Sequence, residues 1–239
     1  MNNVELFRKG LEKIHEGSIG MAVASLLSVI GVAPVFVSAP FSLKIRVSVS
    51  ATGPQVLRLP PLFQDFITGI LVLVGIIAVI GGALFLIFST GYVVPGYRMV
   101  NAGSGHRYSP QYKLLSVGLS LTSVAEIIIG AAIASLGTGQ IFGSMLQHEI
   151  LEYTVLLGVL ATVLFVFRLV GYLGTGLFLI QLYNRYNDAL LLATGILFIV
   201  AIPLPLIGFI AWVLTAIAAR QLMERISQSS RQEPLTTYS

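Results

Sequence analysis

Cysteine is absent from this sequence, which excludes disulfides, thiolate metal sites, iron–sulfur clusters and cysteine nucleophiles. Charge is scarce: Asp, Glu, Lys and Arg make up 10% of the 239 residues, where soluble domains carry about 25%. Histidine is scarce too. His15, His106 and His148 are the three present, and none stands in the middle of an apolar run, so a membrane haem held by paired histidines is not expected. No basic run is dense enough for nucleic acid, and the net charge of +4 fits the ordinary lysine and arginine bias of membrane loops. His-Glu-x-x-His, Gly-x-Ser-x-Gly and paired-aspartate patterns are missing, and Gly103-Ser104-Gly105 lacks the spacing and the following Lys-Ser/Thr of a phosphate-binding loop. An enzymatic role, a cofactor and a resident metal are therefore not expected.

What is present is apolar. Hydrophobic residues make up 56% of the chain and the mean hydropathy is +0.90. A water-soluble core cannot absorb that much apolar surface in a chain this short, whereas a bilayer can. Five uncharged or nearly uncharged runs follow one another: 18–39, 66–94, 114–136, 151–180 and 189–219. Each exceeds the roughly 20 residues that span a hydrocarbon core of about 30 Å at 1.5 Å per residue. The first is preceded by glutamates rather than a basic segment, is long, and meets Pro40 beside the small-residue position Ala39, so it reads as a retained span rather than a cleaved signal.

The last run decides the topology. One straight helix over 189–219 would be roughly 46 Å long, and its middle reads Ile202-Pro203-Leu204-Pro205-Leu206, which disfavours a continuous helix. A hairpin of two short spans, from about Arg185 to about Arg225, resolves both problems. Six spans put Arg8, Lys9, Lys13, Arg98, Arg107, Lys113, Arg185, Arg220, Arg225 and Arg231 on one side, against Lys44, Arg46 and Arg58 on the other. Five spans move the tail across and leave seven against six, which is no bias. The expectation is therefore an all-α membrane protein, a six-helix transmembrane bundle (five if the last run is a single span) with both termini cytoplasmic.

Three further segments complete the organisation. In residues 1–17, Val4, Phe7, Leu11 and Ile14 share a stripe opposite Glu5, Arg8, Lys9, Glu12, Lys13 and Glu16, which predicts an amphipathic interfacial helix ending near Gly17. From Phe41 to Ser50, apolar and polar residues alternate strictly, and Ala51-Thr52-Gly53-Pro54 supplies a turn, so 41–59 reads as a small external β-hairpin. The bundle then covers 18–225, and 226–239 is a polar tail. Tyr97, Tyr108, Tyr112, Tyr183 and Tyr186 read as an interfacial aromatic belt.

Two charges lie deep in apolar runs, Glu126 and Arg168. Each is costly there, about 3 kcal/mol for Arg on translocon scales, and each requires a partner or a wet cavity. Their spans are consecutive and antiparallel, and each charge stands 13 residues from its cytoplasmic end, at Lys113 and Gln181. Equal depth predicts an intramembrane ion pair that either fixes helix register or lines a path, with separate solvation of the two charges as the remaining alternative. Small residues recur every fourth position at Gly20/Ala24/Ser28, Ala78/Gly82, Gly130/Ala134, Gly171/Thr175 and Ala211/Thr215/Ala219, as close helix packing or a homo-oligomer seam requires. His148 and Glu152 stand at helical i,i+4 spacing beside Glu149, which fits an acidic helix start better than a metal site.

The segment Gly10-Leu11-x-x-Ile14-x-x-Gly17, followed at once by a Gly/Ala/Ser-rich span, resembles a family of uncharacterised archaeal multi-pass membrane proteins. The resemblance covers about the first 30 residues. It implies membrane location and a helical bundle, and brings no activity or site residues. The resulting expectation is a non-enzymatic scaffold or accessory subunit in the cell membrane, contacting lipids and either other membrane subunits or itself. The alternative is a small transporter or channel whose path passes Glu126 and Arg168.

Overall fold

Inside a bilayer every backbone N–H and C=O must be satisfied within the protein, and a helix does this within one segment. The computed structural model describes the backbone of residues 3–49, 61–137, 147–202 and 204–232, and no strand occurs among them. The helices are α1 (Asn3–Val49), α2 (Pro61–Phe88), α3 (Val94–Gly103), α4 (Ser109–Gly137), α5 (Gln147–Tyr186), α6 (Ala189–Val200) and α7 (Pro205–Gln232). A π-helical turn over Ser89–Val93 joins α2 to α3 without a break, so the seven helices form six rods. Five stretches are long and apolar enough to cross a membrane, and α6 is shorter.

Two expectations are corrected here. Residues 41–49 do not form a strand but continue α1 as a helix, while 50–59 of the expected hairpin lie outside the described residues. Alternation alone could not hold an isolated two-stranded ribbon, which is marginal without a third strand or a packed face. The amphipathic segment does not end at Gly17 either, because α1 runs on through it. Gly17 packs against Tyr92 and Val93, and Phe7, Leu11 and Ile14 are buried in the bundle rather than lying on its surface.

Glycines fix the registers. Gly81 lies against Ser28, Gly31 against Ala78, and Gly103 against Phe7, so α1 and the α2–α3 rod are antiparallel. Gly82 meets Ile127 and Gly130 meets Val79 between α2 and α4. Gly118 meets Gly171 and Gly174 meets Leu115 between α4 and α5, close backbone approaches matched between α2 and α4 by Gly75 against Ala134. The small-residue stripes thus serve internal packing, as lipid-embedded helices require where water drives nothing together.

The rods form a ring in the order α1, α2–α3, α4, α5, α6, α7 and back to α1. His15 donates from Nδ1 to the Ala216 carbonyl at 2.8 Å across the closing α1–α7 contact. At one end of the ring lie the start of α1, the α3–α4 turn, the α5–α6 turn and the end of α7. Asn101 builds the first turn, accepting from Tyr108 N–H at 2.9 Å. In the second, Asn187 adopts φ 50° and Asp188 caps α6 by accepting from Leu190 N–H at 2.9 Å. Asp188 also pairs with Arg225 of α7 at 3.3 Å.

The α6–α7 pair is a hairpin, as the two prolines require, but a short one. Its 12-residue first arm is only about 18 Å long. Pairing of His15 with Ala216 aligns Leu206, near the start of α7, with about residue 25 of α1. The tip therefore stops part-way along the ring, and both arms return to the end that holds the N-terminus. Across the ring α1 and α5 touch at the end that holds the N-terminus, where Phe7 packs on Tyr186 with ring centres 5.6 Å apart.

Candidate functional site

The level of the bilayer follows from the basic residues, which end at Lys13 on the N-terminal part of α1, to resume only at Lys44, and at Lys113 on α4. A core of about 30 Å beyond them covers about 20 residues, which puts its midplane near residue 23 of α1. Four irregular features meet within two turns of that level.

The first is the π-helical turn. Ser89 and Thr90 each donate a side-chain hydroxyl to the Leu86 carbonyl, at 3.1 and 2.7 Å. Pro95 has no N–H to offer the preceding turn, and together these weaken the regular ladder just where the helix widens. Ser89 and Ser123 hydroxyls stand 3.4 Å apart in the interior. The second feature is the hairpin tip with its two prolines.

Glu126 is the third. It is buried, and Ser28 of α1 donates to its Oε2 at 2.9 Å. Gly81 and Gly82 make this possible, because a Cβ at Gly81 would sit 3.1 Å from Ser28 Oγ and one at Gly82 would sit 3.1 Å from Glu126 Cβ. Arg168 is the fourth. It is 9% exposed, donates from Nη2 to the Tyr172 hydroxyl at 3.1 Å, and holds its guanidinium 5.0 Å from the Tyr172 ring centre. Its Nε is buried with no partner.

Glu126 and Arg168 are both interior but are not in contact: among the described residues no ion pair within 4.0 Å joins them. The α4–α5 register explains this. Gly118 opposite Gly171 and Leu115 opposite Gly174 put Leu121 across from Arg168. Glu126 is then five residues further along, an axial offset of about 7.5 Å.

Towards the N-terminal end the ring is filled. Tyr97 packs edge-on against Phe178 at 4.7 Å, and Tyr108 packs on the same ring at 5.0 Å. Above them Trp212 contacts Phe198 at 4.7 Å and Tyr172 at 6.4 Å. Tyr97 and Tyr108 are thus interior rings, not members of an interfacial belt.

The family model for DUF973, a protein family of unknown function, matches residues 8–239. The chain belongs to the DUF973 family. No curated protein and no solved structure matches it. The match agrees with the expectation of an uncharacterised family but does not show its archaeal part, and the apolar helices mark this DUF973 protein as a multi-pass membrane protein.

Elsewhere on this DUF973 chain, His148, Glu149 and Glu152 fall at the start of α5, where side chains lie outside the described residues. A groove of about 670 Å³ runs between α1 and α7, apolar at Ile19, Val23 and Val213 and edged by Arg220 and Glu224. Those two edge residues pair with each other at 3.1 Å. Sequence reasoning missed Ser28, Tyr172 and Trp212 as interior partners. Ser28 was visible only as a small residue, and the other two as ordinary aromatics of an apolar run.

Proposed function

We propose that this protein is a non-enzymatic component of the cell membrane, a scaffold or accessory subunit, with both termini cytoplasmic. The observation that carries this reading is the aromatic fill. Where six rods close the ring, its axis is occupied by Tyr97, Tyr108, Tyr172, Phe178, Phe198 and Trp212. An open pore along that axis has no room, and glycine-fitted helix contacts favour one fixed packing. Bilayer lipids and other membrane subunits, or a second copy, are its partners in this reading. The outer half of α5 presents Val155, Leu156, Val159, Val163, Phe165 and Val166 to them.

A specific observation favours a second reading, a small transporter. Two uncontacted charges, a π turn and a broken hairpin gather near the midplane, and transporters place substrate sites at such broken helices. Purification of the native protein in lipid nanodiscs, with mass spectrometry, is expected to return a stoichiometric membrane partner. Proteoliposomes holding this chain alone that carry a flux abolished by Glu126→Gln would overturn the scaffold reading.

A further inference from the structure

We infer that Arg168 and the tip of the α6–α7 hairpin form a binding site for an oxyanion, a carboxylate or a phosphate group, near the centre of the membrane. An arginine carries five N–H donors and cannot lose its charge. Arg168 is more than nine-tenths buried, spends one described donor on a neutral hydroxyl, keeps Nε unpartnered, and has no acid within 4.0 Å among the described residues. A cation so placed is expensive until an acceptor arrives.

The hairpin tip adds positive potential at the same point. A Cβ on Gly208, in the first turn of α7, would lie 2.8 Å from the Tyr172 hydroxyl that Arg168 binds. The hydroxyl that Arg168 binds therefore packs against the N-terminal turn of α7, where the helix dipole is positive. Trp212, against Tyr172, contributes a second buried donor, since its Nε1 has no partner. Two buried donors in residues that contact Tyr172, Arg168 Nε and Trp212 Nε1, thus lack an acceptor, which is what an anion supplies.

Access comes from beyond the tip. The α6–α7 hairpin stops at this level, and the outer half of α5 is exposed. Ser28 and Glu126 line the interior on that side. A planar carboxylate or a phosphate oxygen pair matches the guanidinium fork. A lipid-borne and a water-borne anion share this chemistry, and the test separates them.

Trp212 is the only tryptophan in the chain, so its fluorescence reads the site directly. The full chain in phosphatidylcholine nanodiscs is titrated with sodium acetate, sodium phosphate and oleate, with sodium chloride and oleyl alcohol as controls. A saturable change with at least one oxyanion, and none with the controls, is expected. Response to oleate alone assigns an amphiphile, and response to acetate or phosphate assigns a water-borne anion. Arg168→Gln should weaken binding about tenfold or more, the loss of one charge-assisted contact. Should that variant fail to fold, Arg168→Lys keeps the charge without the fork and should weaken binding by a smaller factor. Glu126→Gln removes a nearby negative charge and should tighten it. No saturable response to any oxyanion, equal affinity in Arg168→Gln, or weaker binding in Glu126→Gln would overturn the site.

Discussion

At the scale of single residues, the two membrane charges do not touch, and each is hydrogen-bonded to a different neutral hydroxyl. Ser28 serves Glu126 and Tyr172 serves Arg168. Each hydrogen bond involves an ionisable partner in a buried setting, so Ser28→Ala and Tyr172→Phe should each cost about 1.5–3 kcal/mol. Phenylalanine keeps the ring stacking on Phe198 and Trp212, which isolates the hydroxyl. Because the two bonds share no atoms, one joining α1 to α4 and the other lying within α5, their losses should add to within about 0.5 kcal/mol. A thermal-unfolding cycle in detergent checks this, and strong coupling in the double variant would mean that one network joins the two charges. The presence of both charges in the interior was legible from their apolar surroundings. Their separation was not. Counting from Lys113 and Gln181 assumed that these residues lie at one depth, whereas the glycine register places Gln181 opposite about residue 108, five residues below Lys113.

At the scale of helices, glycine positions divide into those that hold the bundle and those that do not. A methyl group at Gly118 would collide with the Gly171 backbone, and one at Gly75 with the Ala134 backbone. Relief requires α4 and α5, or α2 and α4, to move apart along their length. Gly158 faces nothing within 4 Å. Gly118→Ala should therefore destabilise by about 2 kcal/mol or more, in the range of overpacked interiors. Gly158→Ala should be neutral or stabilise by up to about 1 kcal/mol through helix propensity alone. Equal midpoints for the two variants in a detergent thermal melt would refute the register. Spacing at four-residue intervals marked one partner of each contact, Gly171 and Ala134, because small residues on one stripe have few uses in lipid other than close approach, whereas Gly118 and Gly75 stood outside the stripes. The alternation from Phe41 to Val49 misled for the opposite reason. A period of two marks a strand only where a partner strand can take its hydrogen bonds, and here the backbone continues the helix already begun.

For the whole molecule, the arrangement of rods makes a claim about sides. The start of α1, the α3–α4 turn, the α5–α6 turn and the end of α7 gather at one end of the ring, tied by Gly103 against Phe7 and by Arg225 against Asp188. Ten of the basic residues belong to the segments at that end, so the lysine and arginine bias and the packing agree about which segments share a side. A straight final span would separate them, carrying the tail across the membrane and erasing the bias. The hairpin avoids this because its tip turns back near the midplane, at two prolines that cannot continue the ladder from α6. The absence of native cysteine permits a direct measurement. Single cysteines at Arg8, Arg107 and Gln228 should all react with a membrane-impermeant maleimide from the same face of oriented vesicles, the cytoplasmic one. A cysteine at Thr52, after the long first helix, should react from the opposite face. Labelling of the Gln228 position from the face opposite Arg107 would break the link between the α6–α7 hairpin and the charge bias, and with it the reading of α7 as a returning arm.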